Sequence, residues 1–224
     1  MLINGIIFDA DGTLIDSMGM WRNLGERYLR SIGVEPEMNL SRRLFAMSFE
    51  HGIEYLRERY ALEASCEEIK AEILRMIRDF YVNDVALKSG VREMLDAIRF
   101  DLKIPMTIAT AGERNLLEAA LSRLEIMGYF AAIFTCGELD TTKHDDKIFL
   151  ECAKFMGTRI SETLVFDDAL FALEAAKRAG FLLAGVEDFS SVHDWQRIER
   201  ICDLYVREND FACVEKFLKI LRGE

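Results

Sequence analysis

Two aspartates separated by one small residue, Asp9 and Asp11, close an apolar run from Leu2 to Phe8 that only Asn4-Gly5 interrupts. Short apolar runs with Ile, Ile and Phe, ended by a glycine turn, read as buried parallel strands. Side chains alternate along a strand, so the two carboxylates start out on the same side. Gly12 then lets the backbone turn sharply. Acids held this close split their roles. One stays ionised as a nucleophile or as a ligand for a hard cation, and the other holds a proton for a leaving group. Taken alone, Asp9-Ala10-Asp11-Gly12 fits a strand end with an Asx turn better than a site. Residues further along the chain reverse that preference.

Two later apolar runs also stop at polar groups. Ile104 to Ala109 runs into Thr110-Ala111-Gly112, and Leu164-Val165-Phe166 into Asp167-Asp168. Thr110 can donate a hydroxyl hydrogen bond, and the Ala111-Gly112 backbone can approach an oxyanion at the start of the next helix. Read alone, that triplet is a strand-to-helix turn. Adjacent acids at the end of an apolar run are costly unless paired or bound to a cation. Magnesium is held by carboxylate oxygens and water, with phosphate often completing its shell. Helix capping by Asp168, with Asp167 favoured by the helix dipole, is the purely structural alternative, and both can hold at once. Lys143, in the polar loop Asp140 to Asp146, is by itself only a solvated lysine.

The elements that must position these groups alternate after Asp84. Helices are expected at Val91 to Phe100, Arg114 to Glu125 (stopped by Gly128), Lys147 to Met156 and Leu170 to Ala179 (stopped by Gly180). Strands are expected at Ile104 to Ala109, Ala132 to Thr135, Thr163 to Phe166, Phe181 to Val186 and Asp203 to Val206, with a last helix around Phe211 to Leu221. Such alternation implies right-handed crossovers and an α/β, Rossmann-like fold: a doubly wound, mostly parallel sheet covered on both faces. Ligands in these sheets sit outside the carboxyl ends of the strands, where Asp9, Thr110 and Asp167-Asp168 all fall. Met20 to Phe80 carries helical signals throughout. Trp21, Leu24, Tyr28 and Leu29 keep helical spacing up to a stop at Gly33, and Leu44, Met47, Tyr55, Leu56 and Tyr60 suggest a second helix. Ser65-Cys66-Glu67-Glu68 is a capping-box signature ahead of Ile69, Ile73, Met76, Ile77 and Phe80. The expected division is a core of residues 1–17 and 86–224 with an all-helical insert at 18–85.

Composition narrows the partners. Half of the 224 residues are hydrophobic, enough for a sizeable core, and the net charge of −11 leaves no basic excess for a nucleic-acid backbone. An acidic chain that handles an anionic substrate needs a local positive charge, and a bound metal supplies one. The five cysteines are widely spaced, with no Cys-x-x-Cys, which fits reduced thiols rather than a disulfide framework or a zinc site. The N-terminus lacks a basic leader, and no segment approaches a membrane span. The expectation is a soluble, cytoplasmic protein, a monomer or weak dimer, acting on a small molecule without nucleic acid or membrane.

Together, these residues resemble the four signature motifs of the haloacid dehalogenase superfamily, in their usual order. Asp9-Ala10-Asp11-Gly12-Thr13-Leu14 is similar to the first, Thr110 to the second, Lys143 to the third and Asp167-Asp168 to the fourth. The helical stretch falls where the phosphatase and beta-phosphoglucomutase-like branch places a small cap, so the resemblance covers nearly the whole chain. It implies that Asp9 attacks a phosphoryl group to give an aspartyl-phosphate that water then hydrolyses. It gives Asp11 the proton transfers to the leaving oxygen and from the water. It implies Mg2+ held by Asp9, the main-chain carbonyl of Asp11, and Asp168, with Asp167 close by. Thr110 and Lys143, with the Ala111-Gly112 backbone, would hold the phosphoryl group.

The chain departs from the family pattern in places. Ala111 stands where Ser or Asn is common, and His144 and Asp146 replace prolines that stiffen the loop of Lys143. Ala169 and Ala172 stand where Ser and Gly are common. None of these removes an essential group, although they leave the fine specificity open. The leading expectation is a Mg-dependent phosphatase of small phosphorylated metabolites. A sugar phosphomutase on the same core is the nearest alternative. A non-catalytic phosphate- or partner-binding module is the alternative from another class, and the retained acids and lysine speak against it. Met18, Met20, Trp21, Arg42, Arg43 and His51 are insert residues that can face a pocket, though such residues more often serve packing or solvation.

Overall fold

A computed structural model describes residues 3–44 and 47–207, together with Asp210, Phe211, Cys213, Val214, Lys216 and Lys219. Among them, six strands form one parallel sheet: β1 (Gly5–Phe8), β2 (Met106–Thr110), β3 (Ala132–Thr135), β4 (Thr163–Asp167), β5 (Leu182–Val186) and β6 (Leu204–Val206). Their spatial order is β3-β2-β1-β4-β5-β6. The first strand in sequence is thus central, paired with β2 through Phe8↔Ile108 and with β4 through Phe8↔Phe166. The chain reverses direction across the sheet at β1, which is where such sheets open a crevice at their carboxyl edge.

Every residue of β1, β2 and β4 is buried, as continuous apolar strands covered on both faces require. One face carries Ile7, Ala109, Val165 and Leu183, packed against Ile148, Phe149 and Cys152 of one helix and Leu173 and Ala176 of another. These are α8 (Lys147–Met156) and α9 (Leu170–Ala179), in a series α1 to α10 that runs in chain order. Phe8 and Phe166, side by side in the ladder, stack with centroids 4.7 Å apart.

The chain divides into two compact units, Met1–Asp16 with Val85–Glu224, and Ser17–Asp84. The second unit holds α1 (Met18–Arg22), α2 (Leu24–Ser31), α3 (Leu40–Leu44), α4 (Phe49–Arg59) and α5 (Cys66–Asp79), and no strand among its described residues. Ile69, Ile73 and Ile77 lie on the buried stripe of α5, and the capping box forms in full. The Ser65 N–H donates to Glu68 Oε2 at 2.8 Å, and the Glu68 N–H to Ser65 Oγ at 3.2 Å. Met20 is buried, and the Trp21 indole donates to the Tyr81 hydroxyl at 3.0 Å. Arg43 pairs with Glu37 and Tyr55, whereas Arg42 and His51 are exposed.

Some element boundaries differ from those expected. The second insert helix is two helices, α3 and α4, because Ser48 caps α4 by accepting the His51 N–H. In the core unit, α6 (Val91–Asp96) gives way to a π-helical turn at Ala97–Leu102 instead of reaching Phe100 as regular helix. The second core strand starts at Met106 rather than Ile104, since Pro105 has no N–H to contribute to a ladder. Helix α7 (Arg114–Arg123) stops before Gly128, with Glu125 at φ 57. There the N–H of fully buried Ile126 returns to Leu121 O at 2.9 Å and that of Glu125 to Ser122 O at 3.0 Å, a Schellman closure. Gly180 does end α9, at φ 96. Helix α10 (Trp195–Ile201) was not anticipated, and most of the last expected helix, Phe211 to Leu221, lies outside the described residues. All five cysteines are free thiols, and no described helix is long and apolar enough to cross a membrane.

Candidate active site

The carboxyl edge of the sheet is built from the ends of β1, β2, β4 and β5. Beyond Phe8 the ladder continues for one bond, Asp9 N–H to Phe166 O at 2.8 Å, which fixes the base of Asp9. The chain then wraps around the carbonyl of buried Ala10, which accepts the N–H groups of Leu14 at 2.9 Å and Ile15 at 3.0 Å. Gly12, at φ 86, makes the turn possible and closes it by donating to Ile15 O at 3.0 Å. The result is a rigid loop with Asp9 at its entrance, 6% exposed, and Asp11 on its rim, partly exposed.

Lys143 is buried against this loop. Its ammonium donates to Asp9 Oδ1 and, at 2.8 Å, to Asp167 Oδ2. Without the family's prolines, the loop of Lys143 is held by other means. The His144 ring stacks on Phe171 with centroids 4.4 Å apart, Arg178 donates to His144 O at 2.7 Å, and the His144 N–H donates to Thr142 Oγ1 at 3.3 Å. Thr110, 1% exposed, uses its hydroxyl oxygen to accept the Gly112 N–H at 2.9 Å, which leaves its proton for another acceptor. That bond engages the Gly112 N–H within the turn. Gly112 also matters for space. A Cβ at that position would lie 3.1 Å from Asp11 Oδ2 and 3.3 Å from Thr110 Oγ1. Ala111 is exposed at the mouth of this turn.

Asp167 and Asp168 divide their work. Asp167 Oδ1 accepts the Ala169 N–H at 2.9 Å and its Oδ2 accepts Lys143, so both oxygens have protein donors. Helix α9 has Ala169 at its N-cap with no side-chain cap, so Asp168 does not serve as the cap residue. Its carboxylate instead faces the crevice, where oxygens of Asp9, Asp167 and Asp168 all lie within 4.8 Å of one another. The side chain of Asp11 is not in this group; its Oδ2 lies on the Gly112 side of the turn.

Charge explains what the crevice requires. Burial raises Asp9 from 3.8 to about 7, with Lys143 opposing the rise and Asp167 and Asp11 adding to it. Burial also pushes Asp168 well above the carboxylate range, reinforced by Asp9, Asp167 and Asp188. Burial alone would lower Lys143, but Asp167 and Asp9 together outweigh it and hold the ammonium above the ordinary lysine range. One ammonium faces three clustered carboxylates. Hard oxygen donors with excess negative charge fit a small divalent cation such as magnesium.

Three further side chains at this edge carried no recognisable signal in the sequence. Lys88, 6% exposed, donates to Gly12 O at 2.7 Å, to Glu187 O at 3.0 Å and to Asp188 Oδ2 at 2.9 Å. Asp188 caps a short 3-10 turn, Phe189–Ser191, by accepting the Ser190 N–H at 2.9 Å. The Ser190 hydroxyl lies 3.1 Å from Asp168 Oδ2. Asp188-Phe189-Ser190 reads as an ordinary Asx turn, and a lone lysine before Ser89-Gly90 carries no chemical signature.

A family model described as haloacid dehalogenase-like hydrolase matches residues 6–186. The chain belongs to that family. This haloacid dehalogenase-like hydrolase is 25% identical over 178 residues to a phosphorylated carbohydrates phosphatase of Thermotoga maritima, covering 80% of this chain and 82% of the relative. It is 25% identical over 177 residues to a fructose-1-phosphate phosphatase of Escherichia coli, covering 79% and 92%. Its fold matches a structure from Thermotoga maritima assigned as a beta-phosphoglucomutase, with a TM-score of 0.84 and 24% identity over 96% of this chain and 100% of the other. It also matches a haloacid dehalogenase family hydrolase of Deinococcus radiodurans solved with phosphate and sodium, with a TM-score of 0.74 and 16% identity over 98% and 96%.

Proposed function

We propose that this hydrolase is a magnesium-dependent phosphatase of small phosphorylated sugars and related metabolites, working through an aspartyl-phosphate on Asp9. The observation that carries the reading is the buried Asp9 carboxylate, clamped by Lys143 beside Asp167 and Asp168 at the carboxyl edge of the sheet. The relatives named as phosphatases of phosphorylated carbohydrates and of fructose-1-phosphate support the substrate class.

In this mechanism an Asp9 oxygen forms a bond to phosphorus as the bond to the leaving oxygen breaks. Asp11, on the rim of the turn, gives that oxygen a proton and later takes one from the water that hydrolyses the phospho-aspartate. The Thr110 hydroxyl, with its oxygen engaged by the Gly112 N–H, directs its proton to a phosphoryl oxygen. Lys143 balances the charge of the transferring group, and Asp167 holds that ammonium in place. Asp9, Asp168 and the main-chain carbonyl of Asp11 would hold magnesium, with Asp167 alongside. When bound, the cation supplies the positive charge that keeps Asp9 ionised and lets an anionic phosphoryl group approach. The helical unit Ser17–Asp84 is assigned as the cap that carries substrate selection.

The test is a panel of sugar and polyol phosphates with magnesium, scored for inorganic phosphate and for isomerised sugar phosphate, alongside Asp9→Asn. Release of phosphate by the wild type and none by a folded Asp9→Asn is expected. Isomerisation without phosphate release would make the protein a mutase. Near-normal turnover by Asp9→Asn would remove Asp9 as nucleophile.

A further inference from the structure

The structure points to a role for the polar chain behind the acidic cluster. We propose that Ser190 is a positioning residue that orients Asp168 toward a divalent cation, with the Lys88–Asp188 ion pair holding Ser190 in place. The inference rests on the reading of Asp168 as a metal ligand.

The hydrogen-bond inventory decides where the Ser190 proton goes. Ser190 Oγ lies 2.8 Å from Asp188 Oδ1 and 3.1 Å from Asp168 Oδ2, and a hydroxyl has one proton to give. Asp188 is already served. Its Oδ1 accepts the Ser190 N–H at 2.9 Å and its Oδ2 accepts Lys88 Nζ at 2.9 Å. Among the described residues, Ser190 is the side-chain donor to Asp168. The hydroxyl therefore gains more by donating to Asp168 Oδ2, which leaves Oδ1 of that carboxylate to face the cation.

The support behind Ser190 is unusually fixed. Asp168 is 5% exposed, Asp188 8% and Lys88 6%, so none of the three charges can relax into water. The backbone of Lys88 is registered against the first-motif loop, through its N–H to Leu14 O at 3.0 Å and the Ile15↔Leu87 bridge. Its ammonium then reaches Gly12 O, inside the turn that presents Asp9 and Asp11. On the other side, Asp188 follows β5, whose Gly185 pairs with Asp167, and its carbonyl accepts the Trp195 indole at 2.9 Å. One line of polar contacts thus runs from the first-motif loop through Lys88, Asp188 and Ser190 to Asp168. It ties the first-motif loop to Asp168 through side chains that make no contact with Asp9.

Partners of metal-ligating carboxylates typically contribute about 10- to 100-fold in metal affinity. Ser190→Ala is expected to weaken magnesium binding about tenfold by isothermal titration calorimetry, while its melting temperature in chelator stays at the wild-type value. Ser190→Thr keeps the hydroxyl and retains wild-type affinity. Ser191→Ala also retains it, because the Ser191 hydroxyl bonds to Asp188 O and touches no carboxylate. Wild-type affinity in Ser190→Ala would overturn the inference, and so would an affinity loss matched by a fall in the chelator melting temperature. A wild-type protein that binds no magnesium would overturn the metal reading itself, and the role of Ser190 with it.

Discussion

The ammonium of Lys143 donates to Asp167 Oδ2 at 2.8 Å, with both side chains almost fully buried. Asp167 also accepts the Ala169 N–H, so it is anchored to the start of α9 and in turn anchors Lys143. Lys143→Met is expected to lower turnover of an aryl phosphate by about 10²- to 10³-fold, the usual cost of losing one donor to a developing anion. Magnesium should still raise the melting temperature of this variant, since the three acids remain. Steady-state kinetics and a thermal melt check both. Turnover at the wild-type rate would take Lys143 out of the phosphoryl site.

Asp11→Asn separates the two halves of the proposed reaction. A good leaving group needs little protonation, whereas the attacking water still needs a base, a contribution of roughly two to four orders of magnitude. Phospho-enzyme should therefore form and accumulate on an aryl phosphate. Rapid quench with acid-stable detection of the acylphosphate reads this directly. Unimpaired hydrolysis with no accumulation would assign Asp11 another task.

Chelation should abolish turnover, and magnesium should restore it. Calcium should restore it poorly, because it prefers a larger and looser oxygen shell. Magnesium should also raise the melting temperature, since it binds the folded site and not the open chain. Asp168→Ala should lose the activation and the thermal shift together. Full activity in excess chelator is the result that contradicts this.

Gly185 tests the packing that aligns β5 with the acids. A Cβ there would collide with Ile198 Cγ2 and sit 3.0 Å from Tyr205 Cδ2 and 3.1 Å from Cys202 Sγ. Ile198 is β-branched and fully buried, so it cannot swing away. Gly185→Ala is expected to lose about 1–3 kcal/mol in urea unfolding, the ordinary cost of overpacking. Gly52→Ala is the contrast. In α4 its new methyl would meet Leu44 Cδ2 at 3.7 Å, an ordinary contact. Removing a helix-interior glycine should gain roughly 0.5–1 kcal/mol.

What could be read from the chain in advance depended on how local its cause was. Asp9, Thr110 and Asp167-Asp168 were legible because an apolar run stopping at a polar residue marks a strand end, and parallel strands share their carboxyl edge. The capping box at Ser65 was legible because both partners lie within four residues. Lys143 had no local signature and stood out only through resemblance. Lys88 and Asp188 were missed because an ion pair between such distant positions leaves no spacing to detect. The end of α7 was misread for a smaller reason. The pull of buried Ile126 put Glu125, and not a glycine, in the left-handed position.

The central place of β1 also bears on how the chain is made. Of the six described strands, β1, which leads into Asp9, is made first, yet its neighbours are β2 and β4, and Ile7 lies beside Val165. During synthesis β1 emerges with both edges unpaired, and one edge stays open until β4 follows it. Pairings this distant in sequence are slow, because loop closure must precede their reward. An apolar strand with a free edge is meanwhile prone to wrong partners. The nascent chain therefore carries Asp9 at the end of a strand with an open edge, and the crevice around it is completed only once β4 has been made.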